Sequence, residues 1–338
     1  MEDTTNTKLS FKYVIISAGC SYAIHLDQIR MIARKFNSTP SNFLKKCEVI
    51  FIGASSSSIQ YTKESISQTI EWLITNGISN ENIFVVSNLT QFGRMNFKID
   101  DSLVEEIVEV FESKEDESNR PISFFDIPGF KVIQYPRGYF YLNGKLYSSL
   151  VDNSPEFKKL PKSLHTSILN YHVEYHKTDT IDHMIEYISN LIQIQKFLKE
   201  NKIDYRFYFM NDIFEGWYYD NGVLTHAYNK NIGKFEIPDL KKYGNISEID
   251  DRIKDKFSLI DFDNIISYKT DKFDYGGVDE YLITNFNFTD FISTTHFKSE
   301  NDYKNFNFMG QHPDLRVTTS FESNFILPEI QPFLNKFI

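Results

Sequence analysis

Cysteine is scarce in this sequence: Cys20 and Cys47 are the whole complement. Two isolated thiols make no disulfide framework, so a small stapled secreted scaffold is excluded and a reducing compartment is expected. Positive charge is in deficit, with 36 Lys and Arg against 46 Asp and Glu and a formal net charge of −10. No basic stripe is present to neutralise a phosphate backbone, so nucleic acid is not an expected partner. Long apolar runs are missing as well. The apolar stretch that follows the leader is broken at His25 and Asp27, too short to cross a membrane. The first ten residues carry Glu2 and Asp3 where a signal peptide would be basic. The expectation is a cytoplasmic or virion-associated protein with no signal peptide and no membrane partner.

What the chain does have is bulk and aromatic weight. Its 338 residues include 31 Phe and 20 Tyr, and mean hydropathy is −0.36. That is enough to bury a full core. Short β-branched runs at Tyr13–Ala18, Glu48–Gly53 and Asn82–Ser87 have the character of strands buried in a parallel sheet. Between them, Asp27–Phe36 and Lys63–Asn76 carry helical periodicity, the second with Ile66, Ile70, Trp72, Leu73 and Ile74 on its inner face. Strand and helix alternating at this spacing predict a doubly wound α/β sheet. A helical stretch from about Pro161 to Lys202 leads into a fourth strand, Ile203–Met210. Asn143-Gly144 and Asn221-Gly222 are hairpin signals, since Asn-Gly supplies the positive φ angles of a tight turn. Thr319–Phe333 reads as a closing helix, bent at Pro328. One domain over residues 1–338 is expected, with insertions at about 113–160 and 218–306.

Polar groups gather at the strand ends, where open α/β sheets keep their ligand crevice. The first strand runs into Gly19-Cys20-Ser21, the second into Gly53 and a row of serines, the third into Asn88, Thr90 and Arg94. His312-Pro313 precedes the last helix. Taken singly, each has an ordinary structural account: a helix-capping serine, a polar turn, a loop histidine. Taken together, a serine and a distant histidine are the parts of a nucleophile and its base. The fourth strand ends in Asn211-Asp212, read as a turn or helix start at the crevice edge. Asp274-Tyr-Gly-Gly-Val-Asp279-Glu280-Tyr281 suits a carbohydrate or cation loop, with a tight polar turn the preferred account. His172 and His176 stand one helical turn apart, a two-ligand metal spacing without an obvious third ligand, so no metal is expected.

In the order of these places the chain resembles the SGNH (GDSL-like) hydrolase superfamily, and its Gly-Cys-Ser-Tyr with Thr90 and Arg94 is similar to divergent members from phages and marine bacteria. The resemblance covers residues 11–100, about 160–215 and 300–338. It implies a three-layer α/β/α sandwich with a mainly parallel, flavodoxin-like sheet, and β-hairpin insertions over the crevice. It implies Ser21 as nucleophile and His312 as general base. The Ser21 and Gly53 N–H groups and the Asn88 side chain would form the oxyanion hole, with Thr90 as alternate donor and Arg94 as a substrate-anion ligand. No cofactor is implied, and the substrate would be a small acyl ester or an acylated glycan such as O-acetylated carbohydrate. Two positions depart from the pattern. Met309 stands where an Asp is usual, which leaves Asp314 or Asp302 to orient His312, and Val86-Ser87-Asn88-Leu89 replaces Gly-x-Asn-Asp. A serine–histidine pair without its acid loses the group that fixes the imidazole tautomer. The alternative is therefore a catalytically degenerate binding or structural module, viral in origin, that contacts glycans or partner proteins.

Overall fold

The computed structural model describes residues 11–19, 47–52, 58–90, 95–98, 126–127, 130–131, 139–142, 177–220, 223–226, 245–270, 274–285 and 320–337, with isolated positions between 162 and 174. These fall into two compact units, the first ending at Tyr205 and the second beginning at Arg206. The architecture is α/β. Five strands, β1 (Tyr13–Ala18), β2 (Cys47–Phe51), β3 (Ile83–Leu89), β8 (Asp204–Phe209) and β11 (Ile265–Ile266), form one all-parallel sheet in the order β2-β1-β3-β8-β11. Smaller antiparallel pairs are β4 (Met95–Lys98) with β7 (Tyr139–Leu142), β5 (Asp126–Ile127) with β6 (Phe130–Lys131), and β9 (Trp217–Asp220) with β10 (Val223–His226).

The central strands are apolar along their whole length because both faces are covered. Val14, Ile15 and Ile16 of β1 and Ile83, Val85 and Val86 of β3 are fully buried. Helix α1 (Ile59–Thr75) starts earlier than the hydrophobic period alone suggests. Ser58 caps it, its hydroxyl accepting the Tyr61 N–H at 3.2 Å, so the preceding serine run supplies a start signal that periodicity does not carry. Ile66, Ile70 and Leu73 face inward as expected, whereas Ile74 is exposed and Trp72 only half-buried. Thr62, Ser65 and Thr69 take the remaining inner positions, which turns the buried face away from Ile74. Helix α2 (Thr180–Glu200) begins at Asp179, whose carboxylate accepts the Ile181 N–H at 3.0 Å. It lies along α1, where Lys63 Nζ donates to Gln193 Oε1 at 2.9 Å.

In the second unit β9 and β10 pair antiparallel with Asp220 opposite Val223, and the Asn221-Gly222 signal between them lies outside the described residues. The other Asn-Gly signal, at 143–144, lies outside the described residues; the strand just before it, β7, pairs with β4. The predicted helix at 27–36 is also outside them. Short helices α3 (Ile246–Ile249) and α4 (Asp251–Phe257) and an edge-to-face aromatic group close this core. Phe214 packs edge-on against Phe209, Phe257 and Tyr275 at centroid distances of 5.2, 4.9 and 5.5 Å. Helix α5 (Val278–Asn285) follows the 274–277 loop. The closing helix is interrupted before Pro328: residues Glu322–Ile326 form a π-helical turn ahead of α6 (Leu327–Leu334). Proline has no N–H for the helical ladder and its ring crowds the preceding turn, and the wider turn accommodates both. Among the described residues no helix is long and apolar enough to cross a membrane.

Candidate functional site

The strand order sets the first candidate place. From β1 the chain moves to β2 on one side and returns to β3 on the other, so the topological switch point lies between β1 and β3. Their carboxyl ends are pressed together. Ala18 pairs with Ser87, and Gly19 follows with φ of +124°. A Cβ on Gly19 would fall onto the Asn88 carbonyl oxygen and come within 2.9 Å of the Asn88 Cβ. Only glycine allows this approach.

At the carboxyl end of β3 the polar side chains are sealed from solvent. Ser87, Asn88 and Thr90 are all fully buried. The Tyr187 hydroxyl, from α2, donates to the Thr90 carbonyl oxygen at 2.7 Å and fixes the backbone there. Neither Ser87 Oγ nor Thr90 Oγ1 has a hydrogen-bond partner. Buried polar atoms are nearly always satisfied, and an orphan costs about 1–3 kcal/mol. Thr90→Val should therefore raise stability by about 1 kcal/mol, measured by urea denaturation. An unchanged or lowered midpoint would show that the hydroxyl is satisfied in the folded protein.

Of the residues singled out from the sequence, Asn88 and Thr90 are described and both stand at this edge. Ser21, Gly53, Arg94, Asp302, Met309, His312 and Asp314 lie outside the described residues, as do His172 and His176. No family model, curated protein or solved structure matches this chain. The site therefore has to be built from its own residues. Among those described, no group of three or more His, Cys, Asp and Glu side chains is arranged to hold a metal ion. Cys47 is buried beside Glu48, and burial first, then that charge, pushes its thiol far above the ordinary range, which makes it an unreactive core residue.

A second place lies in the second unit, at the carboxyl end of β8. The Asp212 Oδ1 atom accepts the Phe214 and Glu215 N–H groups at 2.9 and 3.1 Å, so Asp212 does form the turn expected of it. The Glu280 carboxyl, from the first turn of α5, accepts the Asp212 N–H at 3.0 Å and the Gly277 N–H at 2.7 Å. Gly277 lies against the Phe209 and Met210 backbone, where a Cβ would come within 2.7 Å of Phe209 C. The Asp279 N–H donates to the Met210 carbonyl at 2.9 Å. The strand end and the 274–281 loop are thus tied together, although sequence reasoning treated them as two separate turns. Their one shared signal was acidity.

These acids are held above the ordinary carboxylate range. Burial pushes Glu280 up to about 8, with the Asp212 and Asp279 charges adding to it and the two backbone N–H groups opposing. Asp212 rises to about 6, chiefly through burial with the Asp274 charge adding to it, against the pull of the Glu215, Phe214 and Tyr275 N–H groups. Half-buried Glu215 rises to about 7, through burial and then the Asp212 charge. Burial and the Glu215, Asp274 and Asp212 charges also raise the Tyr275 phenol. The groups titrate as a coupled set.

Proposed function

We propose that the chain is a serine ester hydrolase of the SGNH type, acting on a small acyl ester or an O-acylated glycan at the carboxyl ends of β1 and β3. One observation carries the reading: Gly19 is packed onto Asn88 at the switch point of a parallel sheet, with the orphan hydroxyl of Thr90 buried two residues further along the chain from Asn88. Ser21 follows Gly19 by two positions in the sequence.

In this reading the Ser21 hydroxyl attacks the acyl carbon while His312 takes its proton. The tetrahedral oxyanion is held by the Ser21 and Gly53 N–H groups and by the Asn88 side chain, with Thr90 as alternate donor. His312 then returns the proton to the leaving alcohol, and water, activated by the same imidazole, releases the acid from Ser21. Asp302 or Asp314 accepts from the other imidazole nitrogen, since Met309 cannot. Arg94 binds an anionic group of the carrier.

Hydrolysis of a short acyl ester such as p-nitrophenyl acetate tests this directly. The wild-type protein should turn it over, and Ser21→Ala should lose about a thousandfold or more in kcat/KM with its melting temperature unchanged. Equal rates in the two proteins would sink the assignment. Met309 at the usual acid position supports the second reading, a degenerate glycan- or protein-binding module. That reading predicts no turnover by the wild type and retained glycan binding in Ser21→Ala.

A further inference from the structure

Helix α2 buries a stripe that includes Ile181, Met184, Ile188, Leu191 and Ile194, and Tyr187 stands in it. A phenylalanine would fill that position with no polar atom to satisfy, so a buried tyrosine there needs a partner for its hydroxyl. The partner is not on the helix. It is the Thr90 carbonyl oxygen, 2.7 Å away and 97 positions earlier in the chain. Tyr187, Thr90, Asn88 and Gly19 all belong to the first unit.

This bond lands just past Leu89, the last residue of β3. Asn88 is thereby held from both directions along the chain. Before it, Ser87 pairs with Ala18 of β1, and Gly19 packs against the Asn88 carbonyl. After it, the Thr90 main chain is tied to α2. Stability alone does not account for the arrangement. Ser87 Oγ and Thr90 Oγ1 are buried without partners in the same stretch, which a strand end built only to be stable would avoid. What the two anchors do provide is a fixed backbone under the Asn88 side chain, and an oxyanion donor is effective only when it is in place before the charge develops.

We infer that Tyr187 is a positioning residue for the oxyanion hole: its hydroxyl holds the Thr90 main chain, and through it the Asn88 side chain. The inference rests on the ester-hydrolase reading and adds to it a residue from outside the strand ends.

Steady-state hydrolysis of p-nitrophenyl acetate by Tyr187→Phe, which removes only the hydroxyl, is the test, run well below the melting temperature of every variant. kcat and kcat/KM should fall together by about tenfold with KM unchanged, the pattern of a contact that counts in the transition state. Ile70→Val, a substitution of a fully buried residue in the second half of α1, is the control for lost stability. It should lower the melting temperature and leave kcat as it was, and a merely structural Tyr187 would behave in the same way. In an Asn88→Ala background Tyr187→Phe should lower kcat no further, because the side chain it places is gone. Undiminished kcat in Tyr187→Phe, or an equal loss in the Asn88→Ala background, would overturn the inference and leave the hydrolase reading standing. Wild-type protein without turnover would remove that reading and this inference together.

Discussion

Replacing Gly19 by alanine destabilises the protein by about 3 kcal/mol or more. Two costs combine at this position. The backbone φ of +124° is one that a residue with a Cβ adopts only under strain. The added methyl would also meet the Asn88 carbonyl oxygen and lie 2.9 Å from the Asn88 Cβ, on the neighbouring central strand. Neither atom is the movable end of a side chain, so the strand ends themselves must separate. Gly77 is the control. It has a positive φ of +88°, yet a Cβ there meets nothing within 4 Å. Gly77→Ala pays only for backbone strain, about 1 kcal/mol. Urea denaturation of the two variants separates the terms: a markedly larger loss for Gly19→Ala is expected. Equal losses would mean that the carboxyl ends of β1 and β3 are not in close contact.

Stability falls as pH rises from about 5 to about 8.5, the reverse of the usual carboxylate behaviour. Glu280 and Glu322 are pushed from 4.5 to about 8, and Asp212 from 3.8 to about 6, in each case chiefly by burial. Below about pH 3 these groups are protonated in both folded and unfolded chains, and burial carries no charge penalty. Between the ordinary and raised values the folded chain holds protons that the unfolded chain has released, so each step up in pH favours unfolding. Above about pH 8 the folded groups ionise too, and the loss is complete. At about 1.4 kcal/mol per pH unit per proton, the fall across the window is on the order of several kcal/mol. Asp212→Asn and Glu322→Gln should flatten the curve and gain most at pH 8.5. Glu322 Oε2 has no hydrogen-bond partner, so its neutral replacement loses nothing there. Stability rising with pH across this window would contradict the assignment of these groups as buried acids.

The parts of the fold legible in the sequence are those that local patterning dictates. The runs Val14–Ala18 and Ile83–Ser87 are too apolar to be anything but buried strands. The start of α1 was misplaced because Ser58, Tyr61 and Thr62 act through capping and packing rather than through hydrophobic period. The π-helical turn at Glu322–Ile326 leaves no pattern beyond Pro328. At the candidate site, glycine and polar residues at strand ends marked the edge but not its contacts. The pressing of Gly19 onto Asn88, the Tyr187 bond to Thr90 and the Glu280 bond to Asp212 join residues 69, 97 and 68 positions apart. Such pairings are set by strand order and helix packing, which no local window contains.

The central claim is that the switch point between β1 and β3 serves a nucleophilic serine. The most direct measurement is labelling of the full chain with a fluorophosphonate, followed by mass spectrometry of its peptides. The account predicts one phosphonylated residue, Ser21, with labelling abolished in Ser21→Ala and slowed in His312→Ala. Unlabelled wild-type protein, or a label carried by any other residue, would contradict it.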